Sequence, residues 1–329
     1  MFFDIHWHAR DWTQSAKETV AHSLQVAEAA GIDAIAAMPN TDPLLTDKKT
    51  CLEYLALDTG ETQSKLFVHI GLTSDPEQVK RAVDAYREVP DIIGMKLFCC
   101  KSTGDLSVLT TDDQYDVLQV LANEGYDGVL LNHFGAQELM RDDLFDVEHP
   151  ETWSTLCRPS YVEAISFDRV LGMAEDVGFL GVLHATHVSS PHVVHRIADY
   201  NGNLELSCDI TPHHLLLNNS VLAGENGVEY KCNPPIRPAW EQQVLLQAFK
   251  DEKIPSYGSD HAPHLLEDKH PRDPEKKPAS GVATGQFAPY VHTHLNEDHR
   301  IPKKQLHRQM FQNAKNEFST EHNPNVRDS

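Results

Sequence analysis

The sequence predicts an α/β fold of the (β/α)8-barrel type, and three observations predict it. Eight short apolar, β-branched-rich runs recur along the 329 residues. Stretches of helical periodicity separate most of them, and metal-competent residues stand where several of the runs end. The runs are FFDI (2–5), DAIAAM (33–38), LFVHIGL (66–72), IIGMKLF (92–98), GVLLNH (128–133), LGVLHATH (180–187), LELSCDI (204–210) and IPSYGS (254–259). Between them SAKETVAHSLQVAEAAG (15–31), DPEQVKRAVDAYREV (75–89) and FDRVLGMAEDVG (167–178) place apolar residues at i, i+3 and i+4 and end near Gly or Pro. An open doubly wound sheet shares this alternation, but no GxGxxG or P-loop follows any strand to favour it.

One barrel domain is expected over 1–312, followed by a polar C-terminal tail over 313–329. The end of that tail, STEHNPNVRDS, has almost nothing to bury and is expected to fray. Two polar insertions, 138–159 after the fifth strand and 265–278 after the eighth, fall on the presumed catalytic face as candidate lids. With flanks this short, no added β-sandwich domain is expected.

Lys and Arg total 28 against 49 Asp and Glu, a net charge of −21. That balance repels phosphate backbones and anionic membranes, so neither nucleic acid nor membrane is an expected partner. The six cysteines (51, 99, 100, 157, 208 and 232) show no CxxC spacing and read as packing residues of a reduced protein. MFFDIHWH lacks the basic region of a secretory leader, and no run approaches a membrane span, which points to the cytoplasm.

Twenty histidines set the chemistry apart. His6 and His8 alternate on the first strand and share a side, as two ligands of one divalent ion would. Two solvated histidines on an exposed strand give the same pattern. The balance shifts because Lys96, His133, His187 and Asp260 end the fourth, fifth, sixth and eighth runs, which a barrel gathers at one mouth. An ammonium has no lone pair, so Lys96 ligates a cation only after modification. Reaction with carbon dioxide gives a carbamate able to bridge two ions; an ion pair with Asp260 or a glutamate is the plainer reading. A bridged pair of ions activates water and polarises a carbonyl.

Seven blocks, HWHARD, AAMPNT, GMKLF, LHATHVSS, DITPHHL, KCNPPIRP and GSDHAPH, resemble in the same order the signatures of dihydroorotases, a branch of the amidohydrolase superfamily. The resemblance runs from roughly residue 3 to 290. It implies a TIM barrel with two divalent ions, zinc in such enzymes: His6, His8 and Asp260 on the first, His133 and His187 on the second, and carboxylated Lys96 as the bridge. It implies reversible hydrolysis of dihydroorotate to carbamoyl aspartate, a step of pyrimidine biosynthesis. Asp260 is then the catalytic residue, taking a proton from the attacking hydroxide and giving it to the leaving nitrogen.

The resemblance also makes Arg10, Asn40, Asn233 and His264 the substrate contacts. Arg10 suits a carboxylate, which accepts its fork of donors bidentately; an ion pair with Asp11 is the plainer alternative, as a turn role is for Asn40. In the segment CCKSTGDLS (99–107), Ser102 or Thr103 is the hydroxyl a mobile loop would offer. His69, His184, His213 and His214 read as structural hydrogen bonders. After His133 the chain has FGAQE where many relatives carry a small residue and then an acid, so any contact made by that acid is missing or supplied elsewhere. A small-molecule substrate is the expected partner, with homodimerisation left open. The alternatives are a dihydropyrimidinase, hydantoinase or allantoinase, or a barrel kept as a non-catalytic scaffold, which would be expected to lose metal ligands.

Overall fold

The computed structural model describes residues 2–102, 106–273 and 275–327. Its eight strands are β1 (Phe3–Trp7), β2 (Ala34–Ala37), β3 (Lys65–Gly71), β4 (Ile92–Phe98), β5 (Val129–His133), β6 (Val182–Ala185), β7 (Glu205–Ile210) and β8 (Ser256–Tyr257). They form one sheet in the order β1 to β8, all neighbours parallel, so every strand's C-terminal end opens on the same side. Each run expected from the sequence overlaps one of them, six of the eight enclosing their strand whole.

The eighth strand is short, and backbone and side-chain bonds beyond it complete the closure. Trp7 and His261 form a parallel bridge, with His8 N donating to His261 O at 2.8 Å. The buried Asp4 carboxylate accepts from Ser259 N at 2.9 Å and from His6 N at 3.1 Å. These bonds fix β1 against the segment after β8, and so fix His6 and His8 against Asp260.

The crossovers follow from local chemistry. Helix α1 (Val20–Ala29) is capped by Thr19, whose hydroxyl accepts from His22 N. After α2 (Lys48–Leu55), α3 (Pro76–Glu88) starts with proline at its first turn behind an Asp75 cap. Following α4 (Thr111–Asn123), α5 (Ser160–Val177) stops at Gly178, whose φ of 67° is the left-handed conformation that glycine adopts without a Cβ clash. Then come α6 (Pro191–Ala198), α7 (Pro212–Leu216), α8 (Ala239–Lys250), α9 (Leu266–Lys269), α10 (Ala288–Glu297), α11 (Lys303–His307), α12 (Asn313–Phe318) and α13 (Pro324–Arg327). The apolar core divides in two. Ile35 and Ala37 of β2 pack toward the helices, while Ala34 and Ala36 belong to a second cluster with Phe3, Phe67, Val129 and Val182.

That second cluster corrects the expectation of a frayed polar tail. Ala314, Phe318 and Val326 are fully buried in it; Phe318 sits near Phe3, His69 and His184. Described residues 313–327 therefore cover the end of the barrel opposite the mouth. The segment reads as polar because two of its polar residues are themselves buried partners. Asn323 donates to Pro90 O and Ile92 O, at 3.2 and 2.8 Å, and Glu317 reaches His184. Replacing Asn323 by Ala strands both carbonyls and is expected to cost about 1–2 kcal/mol. A shift in the denaturation midpoint at unchanged slope would register it; an unaltered midpoint would return the segment to the role of a loose end.

The insertions also pack down. In 138–159, Trp153 is buried and its indole N–H reaches Cys232 O at 2.9 Å and Asn233 Oδ1 at 3.1 Å. From 265–278, Lys269 Nζ donates to Lys231 O at 3.0 Å, and Lys277 Nζ donates to Asp142 O in the other insertion. Both segments thus buttress the loop carrying Asn233. All six cysteines are free and buried. Among the described residues no helix is long and apolar enough to cross a membrane.

Candidate active site

Eight parallel strands bring side chains more than 250 residues apart in sequence into one cavity. His6 is the last but one residue of β1 and His8 lies just beyond it; both Nε2 atoms approach Asp260 Oδ1, at 3.3 and 3.0 Å. Ligand-competent atoms of His6, His8 and Asp260 all lie within 4.8 Å of one another. His133, at the end of β5, places Nδ1 2.8 Å from His187 Nε2, and the His6 and His187 rings are 5.0 Å apart. Lys96, in β4, is wholly buried and donates from Nζ to Thr186 Oγ1 at 2.8 Å. His187 and Asp260 both take positive φ, 41° and 49°. Such a conformation is uncommon for a residue with a Cβ and is held where surrounding structure enforces it.

The electrostatics suit a cation. Burial pushes His6, His8, His133 and His187 well below the usual imidazole range, and the Lys96 charge adds to the depression of all four. Neutral imidazoles present lone pairs, as ligation requires. Asp260 is pushed up to about 7 by burial, and Lys96 is pulled down to about 8, again by burial. Nδ1 of His6, His8 and His187 has no hydrogen-bond partner despite being buried. The Nε2 atoms of His6 and His8 converging on one carboxylate oxygen, in a pocket where burial keeps both rings neutral, fit a divalent ion.

Arg10, Asn40 and Asn233 line the same cavity. The Arg10 guanidinium is 2% exposed, and its Nη2 lies 3.5 Å from His264 Nε2. His264, pulled down to about 3 by burial, also contacts Ser280 O at 3.2 Å. The ion pair with Asp11 that the sequence allowed is not formed, because Asp11 accepts from Trp12 N and Val20 N instead. Ser102 lines the cavity as well; Thr103 lies outside the described residues. Asn40 stands at the cavity wall two residues before the turn at Asp42-Pro43.

Several contributors escaped the sequence reading. Asp209 ends the inner face of β7, is fully buried, and accepts from His187 N at 2.8 Å through Oδ1 while Oδ2 meets His184 Nε2 at 2.9 Å. Its place near the end of a barrel strand was the available signal. Thr186 holds Lys96 and donates to Asn132 O. Gly281, at φ 146°, also lines the cavity, and a Cβ there would come within 2.9 Å of His264 Nε2. Of the histidines read as structural, His69 contacts Ile5 O and His214 contacts Thr211 Oγ1 and Pro234 O. His213 departs from that reading: neither of its ring nitrogens has a partner.

No family model matches the chain. Among curated proteins it is similar to the dihydroorotase of Bacillus licheniformis, 28% identical over 310 residues that cover 92% of this chain and 69% of that protein. The dihydroorotase of a Geobacillus species is likewise 28% identical over 310 residues, covering 93% and 69%. The fold matches L-hydantoinase (dihydropyrimidinase) from Arthrobacter aurescens with a TM-score of 0.84 at 20% identity, covering 97% of this chain and 70% of that one. It matches dihydroorotase from Campylobacter jejuni with a TM-score of 0.69 at 20% identity, covering 97% and 83%. The barrel and these relatives support placing the chain among the cyclic amidohydrolases. Within that class, the curated sequence relatives aligned along nine-tenths of it carry the name dihydroorotase, the family its motifs resemble.

Proposed function

We propose that the protein is a dihydroorotase, interconverting dihydroorotate and N-carbamoyl aspartate. The observation that carries the choice of substrate is Arg10. Its guanidinium is buried at the histidine cavity, its Nε has no partner, and it has no carboxylate within ion-pair distance among the described residues. Burial disfavours that charge, and Asp260, the first carboxylate to favour it, makes no direct pair with it, so a ligand carboxylate supplies the bidentate partner that the protein does not. Dihydroorotate carries such a carboxylate, whereas dihydrouracil, hydantoin and allantoin do not.

In this reading His6, His8 and Asp260 would hold one divalent ion, His133 and His187 a second, and Lys96, once carboxylated, would join them; zinc is the expected metal. The bound ions supply an activated water and polarise the scissile amide carbonyl. Arg10, with Asn40 and His264 beside it, holds the substrate carboxylate and sets the ring's orientation, while Asn233, steadied by Trp153, contacts the ring. Asp260 takes the proton of the attacking water and delivers it to the ring nitrogen as the C–N bond breaks. Closure of carbamoyl aspartate runs the same transfers backward. The expected compartment is the cytoplasm.

Turnover of dihydroorotate beside dihydrouracil, hydantoin and allantoin tests the assignment, and hydrolysis confined to a neutral ring would overturn it. Arg10→Ala is expected to raise KM for dihydroorotate by about 10- to 100-fold with a smaller change in kcat, because the lost contact is made in ground and transition states alike. An unchanged KM would remove Arg10 from the substrate site.

A further inference from the structure

Outside the proposed active centre, one buried cluster has the composition of a metal site. His213 and His214 lie in α7, and Cys232 lies in the loop leading to Asn233; their ligand-competent atoms all fall within 4.8 Å of one another. All three are essentially shielded from solvent. We propose that His213, His214 and Cys232 bind a further divalent ion of the zinc type, a structural clamp between α7 and the Asn233 loop.

His213 is the decisive member. A neutral imidazole carries one N–H and one lone pair, yet at 2% exposure neither nitrogen of His213 meets a partner. His214 is held by both ring nitrogens, so an ion at this site would take Nδ1 from Thr211. Its Nε2 lies 3.1 Å from Pro234 O, the carbonyl contact that commonly orients a metal-bound imidazole, which turns Nδ1 toward Thr211 Oγ1 at 2.8 Å. Burial keeps both rings neutral. Two imidazoles and one sulfur select a soft or borderline cation over magnesium or calcium. Around a tetrahedral zinc, ligand atoms are roughly 3.4–3.6 Å apart, so small side-chain rotations suffice.

Cys232 is protonated without a cation, since burial pushes its thiol up to about 12, and its Sγ–H points to Pro234 O at 3.2 Å. Ion entry therefore releases the thiol proton to solvent, and the thiolate takes up the metal bond. His213 borders a largely apolar cavity open to solvent, walled by Leu217, Tyr290 and Val291, which gives the ion a path. Cys232 immediately precedes Asn233, so the clamp would hold that side chain at the mouth.

Cobalt(II) separates this site from the proposed active centre, whose donors are nitrogen and oxygen alone. The full-length protein loaded with Co(II) is expected to show a near-ultraviolet thiolate-to-cobalt charge-transfer band, absent from Cys232→Ser. Zinc content should fall by one equivalent per chain in Cys232→Ser and in His213→Ala, the latter removing no hydrogen bond and so guarding against a misfolded first variant. A wild type without the band, or with metal content unaltered in both variants, would leave a buried histidine pair solvated by water and overturn the proposal. Failure of the dihydroorotase assignment would leave the band untouched.

Discussion

Asp260→Asn is expected to lower kcat by about 1,000-fold or more while leaving the fold in place. A positioned proton carrier contributes about 100- to 10,000-fold, and an amide of the same shape neither accepts the water's proton nor returns it to nitrogen. The Asp260 carboxylate meets the imidazoles of His6 and His8, which burial keeps neutral. An asparagine there can still hydrogen-bond His8 Nε2, and it removes a charge that burial disfavours. The near-native melting temperature is therefore part of the expectation. Metal analysis of the variant belongs beside the kinetics, because Asp260 is also a proposed ligand. A variant that keeps its metal and stays within tenfold of the wild type would sink the proton-transfer role.

The part of this arrangement legible in the sequence is the part written as periodicity and as strand-end residues. The strand runs were apolar enough to stand out, and HWH, GMK, LLNH, THV and SDH each place a polar residue where a barrel strand meets its loop. What stayed hidden depends on partners that periodicity does not encode. Asp4 closes the barrel seam through Ser259 N, a contact across 255 residues. Asp209 was in plain view within DITPHHL, but its task, holding His187 N and His184 together, exists only once β6 and β7 are paired. The C-terminal segment misleads for the opposite reason. Asn323 and Glu317 look like solvent-facing residues by composition, yet each supplies bonds that the barrel floor lacks.

Glu317 leads to the second large effect, a pH-dependent stability set by His184. This imidazole is fully buried between Glu317 Oε1 at 2.6 Å and Asp209 Oδ2 at 2.9 Å. Burial opposes its charge, but Glu317 and then Asp209 outweigh it and hold the ring up at about 9, against an ordinary 6.5. A histidine raised in the folded state stabilises fully below its unfolded value and loses that contribution as pH climbs through its folded value. At about 1.4 kcal/mol per pH unit, the contribution is about 3 kcal/mol near pH 6 and vanishes above about pH 9. Glu317→Gln removes the larger of the two attractions. The stability difference between wild type and variant, from denaturant unfolding at matched pH values, is expected to be about 3 kcal/mol at pH 6 and to shrink steadily toward pH 9.5. Other buried groups, Lys96 and Lys231 among them, titrate in both proteins and cancel in that difference. Parallel curves would mean that His184 is neutral in the folded protein, and that the C-terminal segment is held by the packing of Phe318 rather than by charge.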